Sequence, residues 1–243
     1  MYFEGMETKA IIKPQTKVPF RKIQKQSVTE DVESQLRDAI LTGALAPGES
    51  LAEARLGAQL GVSRASIRQA KFQLMNEGLL EFDERGTATV RQLTLSDAHE
   101  IVEFRQVLEL AAIRLACTRF SQDTVAALEE NIRQTEQESD LLKLTLLDIA
   151  FHEAIIHSAG NSRLVDAWRA LRPQLELWLA GMHRRHSDLT ARTCEETVAS
   201  HRQLLAALKS GDPEVAESAM SEHTSSLQNW ILLEAEHEQD TAD

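Results

Sequence analysis

Only two cysteines, Cys117 and Cys194, occur among 243 residues. Neither sits in a CxxC pattern, and two thiols make no disulfide framework, so a stapled secreted scaffold is excluded. Two free thiols in a reducing cytoplasm are the expectation. No apolar run approaches the roughly 20 residues of a membrane-spanning helix, so no membrane partner is expected. The opening stretch, MYFEGMETKAIIKPQTKVPFRK, lacks the apolar core of a signal peptide. Met6 reads as the natural start, with Met1–Gly5 a remnant ahead of it. Internal repeats and low-complexity tracts are missing as well.

Positive charge is in deficit, with a net charge of −12. The deficit is uneven. Residues 1–92 carry 13 Lys and Arg against 12 Asp and Glu, whereas residues 93–243 carry 13 against 26. An acidic protein still binds DNA where its cations are local, because phosphate contacts act within about a Debye length, roughly 8 Å in physiological salt. Lys9, Lys13, Lys17, Arg21, Lys22 and Lys25 form a sparse basic arm over residues 1–26. It reads as a flexible tail rather than a groove contact.

What the chain has is helical period, over a length that suits one large or two modest domains. Val28, Val32, Leu36, Ile40 and Leu41 mark an amphipathic helix near 28–42, with Thr29 opening an acidic first turn. A second helix over 53–60 stops at Gly61. A third starts at Ser63, buries Ile67, Ala70 and Leu74, and is closed by Gly78. Residues 79–82 and 87–91 are strands around Asp83-Glu84-Arg85-Gly86, whose glycine suits a tight hairpin. Three helices and a hairpin make a winged helix-turn-helix over 27–92. Its third helix opens Ser63-Arg64-Ala65-Ser66-Ile67-Arg68. A helix N-terminus with free N–H groups favours phosphate, and arginine reaches guanine O6 and N7.

Beyond a boundary near 93–96 the β-signals vanish. Helices are expected near 96–119, 122–138, 141–158, 162–185, 190–210 and 213–237, an antiparallel six-helix bundle over 93–238 with a tail at 239–243. Pro173 predicts a kink or a break in the fourth. Trp168 and Trp178 read as core or interface anchors.

Asp148 and His152 are four apart and share a helix face. His201 lies ten residues before Gly211 and His223 ten after Pro213. In an antiparallel pair these two sit level, about 15 Å from the turn. A carboxylate and three imidazoles on three helices converge in this arrangement. They are either divalent-metal ligands, suiting zinc, nickel, manganese or iron, or a hydrogen-bonded polar core. His157, His183, His186, His99 and His237 read as solvated or capping residues. Arg105 either pairs Glu109 at i+4 or points into the bundle to take a ligand carboxylate, the reading preferred. A metal-dependent hydrolase or lyase is the alternative function. It is disfavoured because no extra base or nucleophile accompanies the four residues, Glu153 pointing away from the His152 face.

LGVSRASIRQAKFQLMNEGLL followed by Arg85-Gly86 resembles the reader of GntR-type bacterial transcription regulators. RQVLE, DIAFHEAIIHSAGN and SHRQLLAALKSGDPEVAESAMSEH resemble the FCD effector domain of the FadR subfamily, with six helices suggesting the VanR-like branch. The resemblance covers about residues 27–235. It implies a homodimer that binds a palindromic double-stranded DNA operator, most often as a repressor, and responds to a small organic acid. It implies a divalent metal, zinc first among the choices, on Asp148, His152, His201 and His223, with the acid completing its coordination. It implies DNA contacts at Ser63, Arg64, Ser66 and Arg68, and a wing tip at Arg85 and Gly86. The chain departs from the pattern at Ala54, where an arginine is usual, leaving Arg55 beside it as a candidate contact. It departs again at Lys71, usually apolar, which is expected at the surface or on DNA.

Overall fold

The spacing of Val32, Leu36, Ile40 and Leu41 gives α1 (Val28–Leu41) a single buried face. The computed structural model describes residues 28–83, 86–190 and 192–240, with side chains of the last helix described as far as Leu227. The basic arm, Arg85 and residues 241–243 of the tail lie outside the described residues.

α2 (Glu53–Leu60) stops at Gly61, whose φ of 66° is the left-handed conformation that closes a helix. α3 (Arg64–Asn76) starts on Ser63, whose Oγ accepts from the Ser66 N–H at 3.1 Å. β1 (Leu80–Phe82) and β2 (Ala88–Val90) pair antiparallel, Leu80 opposite Val90 and Phe82 opposite Ala88. One buried cluster unites these elements into the expected winged helix-turn-helix.

Lys71 corrects the sequence reading, because it is only 4% exposed. Its Nζ donates to Leu51 O at 2.8 Å, lies 4.0 Å from Glu53, and sits 5.9 Å from the centre of the Phe82 ring. The methylene stem lines the core while the ammonium reaches a carbonyl at its edge. Burial pushes its pKa down, partly offset by Glu53.

Thr94 and Asp97 form a reciprocal cap that starts the bundle. Among the described residues it contains α4 (Leu95–Cys117), α5 (Gln122–Glu136), α6 (Leu141–Ser158), α7 (Ser162–Leu189), α8 (Thr193–Lys209) and α9 (Pro213–Asp240). Of the kink or break expected at Pro173, the break does not occur, for α7 runs through it. Proline removes one N–H donor, but Trp168, Leu171, Leu175 and Trp178 on either side are buried, and that packing keeps both halves helical.

α7 belongs to two cores. Trp168, Leu175, Trp178 and Met182 lie in the bundle cluster, while Leu177 and Ala180 complete the winged-domain cluster. Arg184 donates to Leu41 O at the end of α1. Gln174 lies over Gly78 so closely that a Cβ there would come within 2.9 Å of it.

Candidate functional site

α6, α8 and α9 bring Asp148, His152, His201 and His223 together, as their spacing allowed. The three imidazoles offer ring nitrogens all within 4.8 Å of one another. His152 Nε2 lies 3.1 Å from His223 Nε2 and 3.6 Å from Asp148 Oδ1, and His201 Nε2 donates to Asp148 Oδ1 at 2.9 Å. Two donors bonded to one ion at about 2.1 Å stand about 3.0–3.4 Å apart, so the contacts at 2.9–3.6 Å match the spacing of ligands around a shared divalent cation. Phe151 stacks on His201 with ring centres 3.9 Å apart and fixes its plane.

Two of the three outer nitrogens have a polar neighbour, while His201 Nδ1 is buried without a hydrogen-bond partner. His152 Nδ1 is 2.9 Å from Glu109 Oε1, and His223 Nδ1 is 2.5 Å from Ser200 Oγ. Burial opposes ionisation of Glu109, but Arg105 and His152 outweigh it and bring its pKa down to about 2. Burial likewise opposes charge on His152, yet Glu109 holds its pKa above the usual 6.5. His201 and His223 go the other way, pushed down by burial. Burial opposes the charge on Asp148 too, but hydrogen bonds from His152 and His201 keep its carboxyl well below the usual range.

A cavity of about 110 Å³ adjoins this cluster, lined by Arg105, Asp148, His183, His186, Ser200 and His223 among others. Arg105 is 1% exposed, pairs Glu109 at i+4 and also lines this cavity. Its Nε donates to Glu109 Oε1 at 2.9 Å, while Nη1 and Nη2 are buried without a protein partner. A larger groove of about 740 Å³ between α5 and α8 holds none of these residues. Its rim cations are exposed and each pairs a glutamate, Arg202 with Glu136 and Lys209 with Glu129, whereas the smaller cavity is lined by buried donors with no partner.

His183 and His186 overturn their solvated reading, for both are buried on that cavity. Their Nδ1 atoms bond Thr145 Oγ1 at 2.8 Å and Thr193 Oγ1 at 2.7 Å. The polar residues around them in sequence belong to the cavity wall, not to solvent. His99 is exposed and His157 sits at a helix end 3.9 Å from Glu153, as expected; the His237 side chain lies outside the described residues. Trp168 and Trp178 are core. Glu109 and Ser200 escaped the sequence reading as parts of the site.

On the reader, Arg64 and Arg68 share the exposed face of α3, opposite Ile67, Ala70 and Leu74. The Ser63 and Ser66 hydroxyls lie 2.9 Å apart. Arg68 is held by Glu53 through Nε–Oε1 at 3.1 Å and Nη2–Oε2 at 2.9 Å. Arg55 is exposed and pairs Glu49 at 3.0 Å, and Ala54 is exposed beside it. Gly86 takes a φ of 75° in the wing turn. No helix among the described residues is long and apolar enough to cross a membrane.

A winged helix-turn-helix joined to an all-helical domain with a polar, histidine-lined cavity defines a two-domain, DNA-binding transcription regulator. The description "Bacterial regulatory proteins, gntR family" matches residues 28–90, and "FCD domain" matches residues 100–226. The chain belongs to the GntR family, with an FCD effector domain. It is 33% identical over 198 residues to the probable D-xylose utilization operon transcriptional repressor of Paenarthrobacter nicotinovorans, covering 79% of this chain and 85% of that one. A putative GntR regulator from Rhodococcus sp. RHA1 superposes with a TM-score of 0.69 at 25% identity, covering 84% and 97%. Escherichia coli McbR shares the fold with a TM-score of 0.68 at 24% identity, covering 87% and 100%.

Proposed function

We propose that this regulator is a metal-dependent sensor of a small organic acid, working as a homodimeric repressor on a palindromic operator in the cytoplasm. Within the family it falls in the FadR subfamily, on the VanR-like branch, with the reader over 27–92 and the sensor over 93–238. Asp148, His152, His201 and His223 would hold the metal, zinc first, and Ser63, Arg64, Ser66, Arg68, Arg55 and Gly86 would face DNA. A bound divalent ion would supply positive charge at the inner end of the cavity.

The observation that carries this reading is Arg105, which has two amino groups buried without a partner on the cavity that the histidines line. Buried donors left unpaired are costly, and a planar guanidinium matches a carboxylate. The acid would thus meet cationic groups on two sides, while Glu109 neutralises the rest of Arg105. α7 offers the link to DNA binding, since His183 and His186 line the cavity while Leu177, Ala180 and Arg184 seat the reader. An acid that fits one setting of α7 better shifts the population toward it and so changes the spacing of the two reading helices.

The test is elemental analysis of purified protein with a thermal-shift screen of small carboxylic acids, metal-loaded and metal-stripped. About one divalent ion per chain and metal-dependent stabilisation by an acid are expected. No metal in protein never exposed to chelator would reduce the four residues to a polar core.

A further inference from the structure

Arg68 is 72% exposed, yet it is not loose. Its Nε–H and one Nη2–H are both committed to the two oxygens of Glu53, at 3.1 and 2.9 Å. A guanidinium has five N–H donors in a fixed plane. The pair spent on Glu53 is one edge, and the outer edge, with Nη1–H and the second Nη2–H, remains free. That outer edge is the fork that fits guanine O6 and N7.

Glu53 is itself anchored. It is the first residue of α2, 23% exposed, with the buried Lys71 ammonium 4.0 Å away and tied to Leu51 O. Its carboxyl is held below the usual range, first by the Arg68 hydrogen bond, with Lys71 and Arg64 adding to it. Lys71, Glu53 and Arg68 therefore form a line from the core of the winged domain to its DNA-facing surface. An exposed ion pair adds little stability, and a carboxylate at such a surface repels phosphate. What it does supply is a fixed direction for a side chain that otherwise samples many rotamers.

We propose that Glu53 is a positioning residue for sequence reading, aiming the outer edge of Arg68 at one guanine. This rests on the reading that α3 enters the major groove. The two ideas are separable, because positioning and simple electrostatics predict opposite signs. Neutralising a surface carboxylate should by charge alone tighten binding to every DNA. If Glu53 aims Arg68, the same change weakens discrimination at one base pair.

The experiment selects sites from a randomised duplex pool with the full-length protein. It then measures affinity for the selected duplex, its single-base variants and a scrambled duplex. Glu53→Gln is expected to cut the guanine preference at one position about tenfold, with scrambled-duplex affinity unchanged or higher. Arg68→Ala is expected to lose the same position, and the double variant to lose no more than Arg68→Ala alone. Should Glu53→Gln unfold the domain by leaving Lys71 unpaired, Glu53→Gln with Lys71→Met removes both charges and asks the same question. Equal tightening on selected and scrambled duplexes would overturn the proposal. Loss of preference in Arg68→Ala but not in Glu53→Gln would overturn the role of Glu53 alone. A full preference in Arg68→Ala would overturn both the role and the reading of α3.

Discussion

His152 and His223, on α6 and α9, point their Nε2 atoms at each other across 3.1 Å. Two such nitrogens at that distance need either one proton between them or a cation that both can face. The nearer carboxylate biases the tautomer of His152: ionised Glu109 lies 2.9 Å from Nδ1 and Asp148 3.6 Å from Nε2, so a neutral ring favours its proton on Nδ1 with a lone pair turned inward.

Metal uptake is therefore expected to expel a proton. His152 holds its proton to a pH above 6.5, because Glu109 outweighs the opposing effect of burial. A ligating imidazole must be neutral, so zinc affinity should fall as pH falls through that raised pKa, with the decline beginning above pH 6.5. Calorimetric titration of stripped protein in two buffers of different ionisation enthalpy reads the proton directly. An affinity that stays flat down through pH 6.5 would contradict the contact with Glu109.

Glu109→Gln should harm both stability and metal binding. It leaves the buried Arg105 charge uncompensated, at a cost of about 3–5 kcal/mol. It also replaces the ionised acceptor beside His152 Nδ1 with a neutral amide, which should weaken metal binding about 10–100-fold. Denaturant unfolding of stripped protein measures the first effect and competition with a chelator the second. A variant as stable as its parent would show that Arg105 does not depend on Glu109.

His201→Ala should lower metal content in protein purified without chelator, measured by plasma mass spectrometry. Its ring donates to Asp148 and stacks on Phe151, so the loss also frees that carboxylate. A fully loaded variant would strike His201 from the ligand set.

Arg105→Lys keeps the charge near Glu109 but loses the planar fork. Acid binding should weaken about tenfold, or about 1.4 kcal/mol, while DNA affinity without acid stays near that of the parent. An undiminished thermal shift would place the acid elsewhere.

Arg64→Ala should weaken binding to the selected operator about 5–100-fold, the range expected for one lost base contact. Affinity for scrambled DNA should change less. Equal affinity for the operator before and after the change would remove Arg64 from the contact set.

Elements with strong punctuation are legible in the amino-acid sequence alone. Ser63, Gly61 and Gly78 bound the reading helix, and residues equidistant from the turn at Gly211 prove level, with the His201 and His223 rings 5.8 Å apart. Sequence period is silent wherever a neighbour decides the outcome. Lys71 falls on the buried stripe of α3, but the carbonyl that receives its ammonium belongs to Leu51, twenty residues away. His183 and His186 look solvated because arginines and a serine surround them; only α6 and α8, folded against α7, supply Thr145 and Thr193. Glu109 is visible as a partner for Arg105, but its contact with His152 depends on how α4 meets α6.

The two loyalties of α7 lie on different sides of one rod. At 3.6 residues per turn, Leu177, Ala180 and Arg184 share the stripe that seats the reader, while Met182 and His186 project from the far side into the cavity. Substitutions at Met182 or His186 alter the cavity wall without replacing any side chain of the seat. Descendants of this chain are thus free to change what the cavity accepts without relearning their DNA address, a separation of inheritable traits written into a single helix.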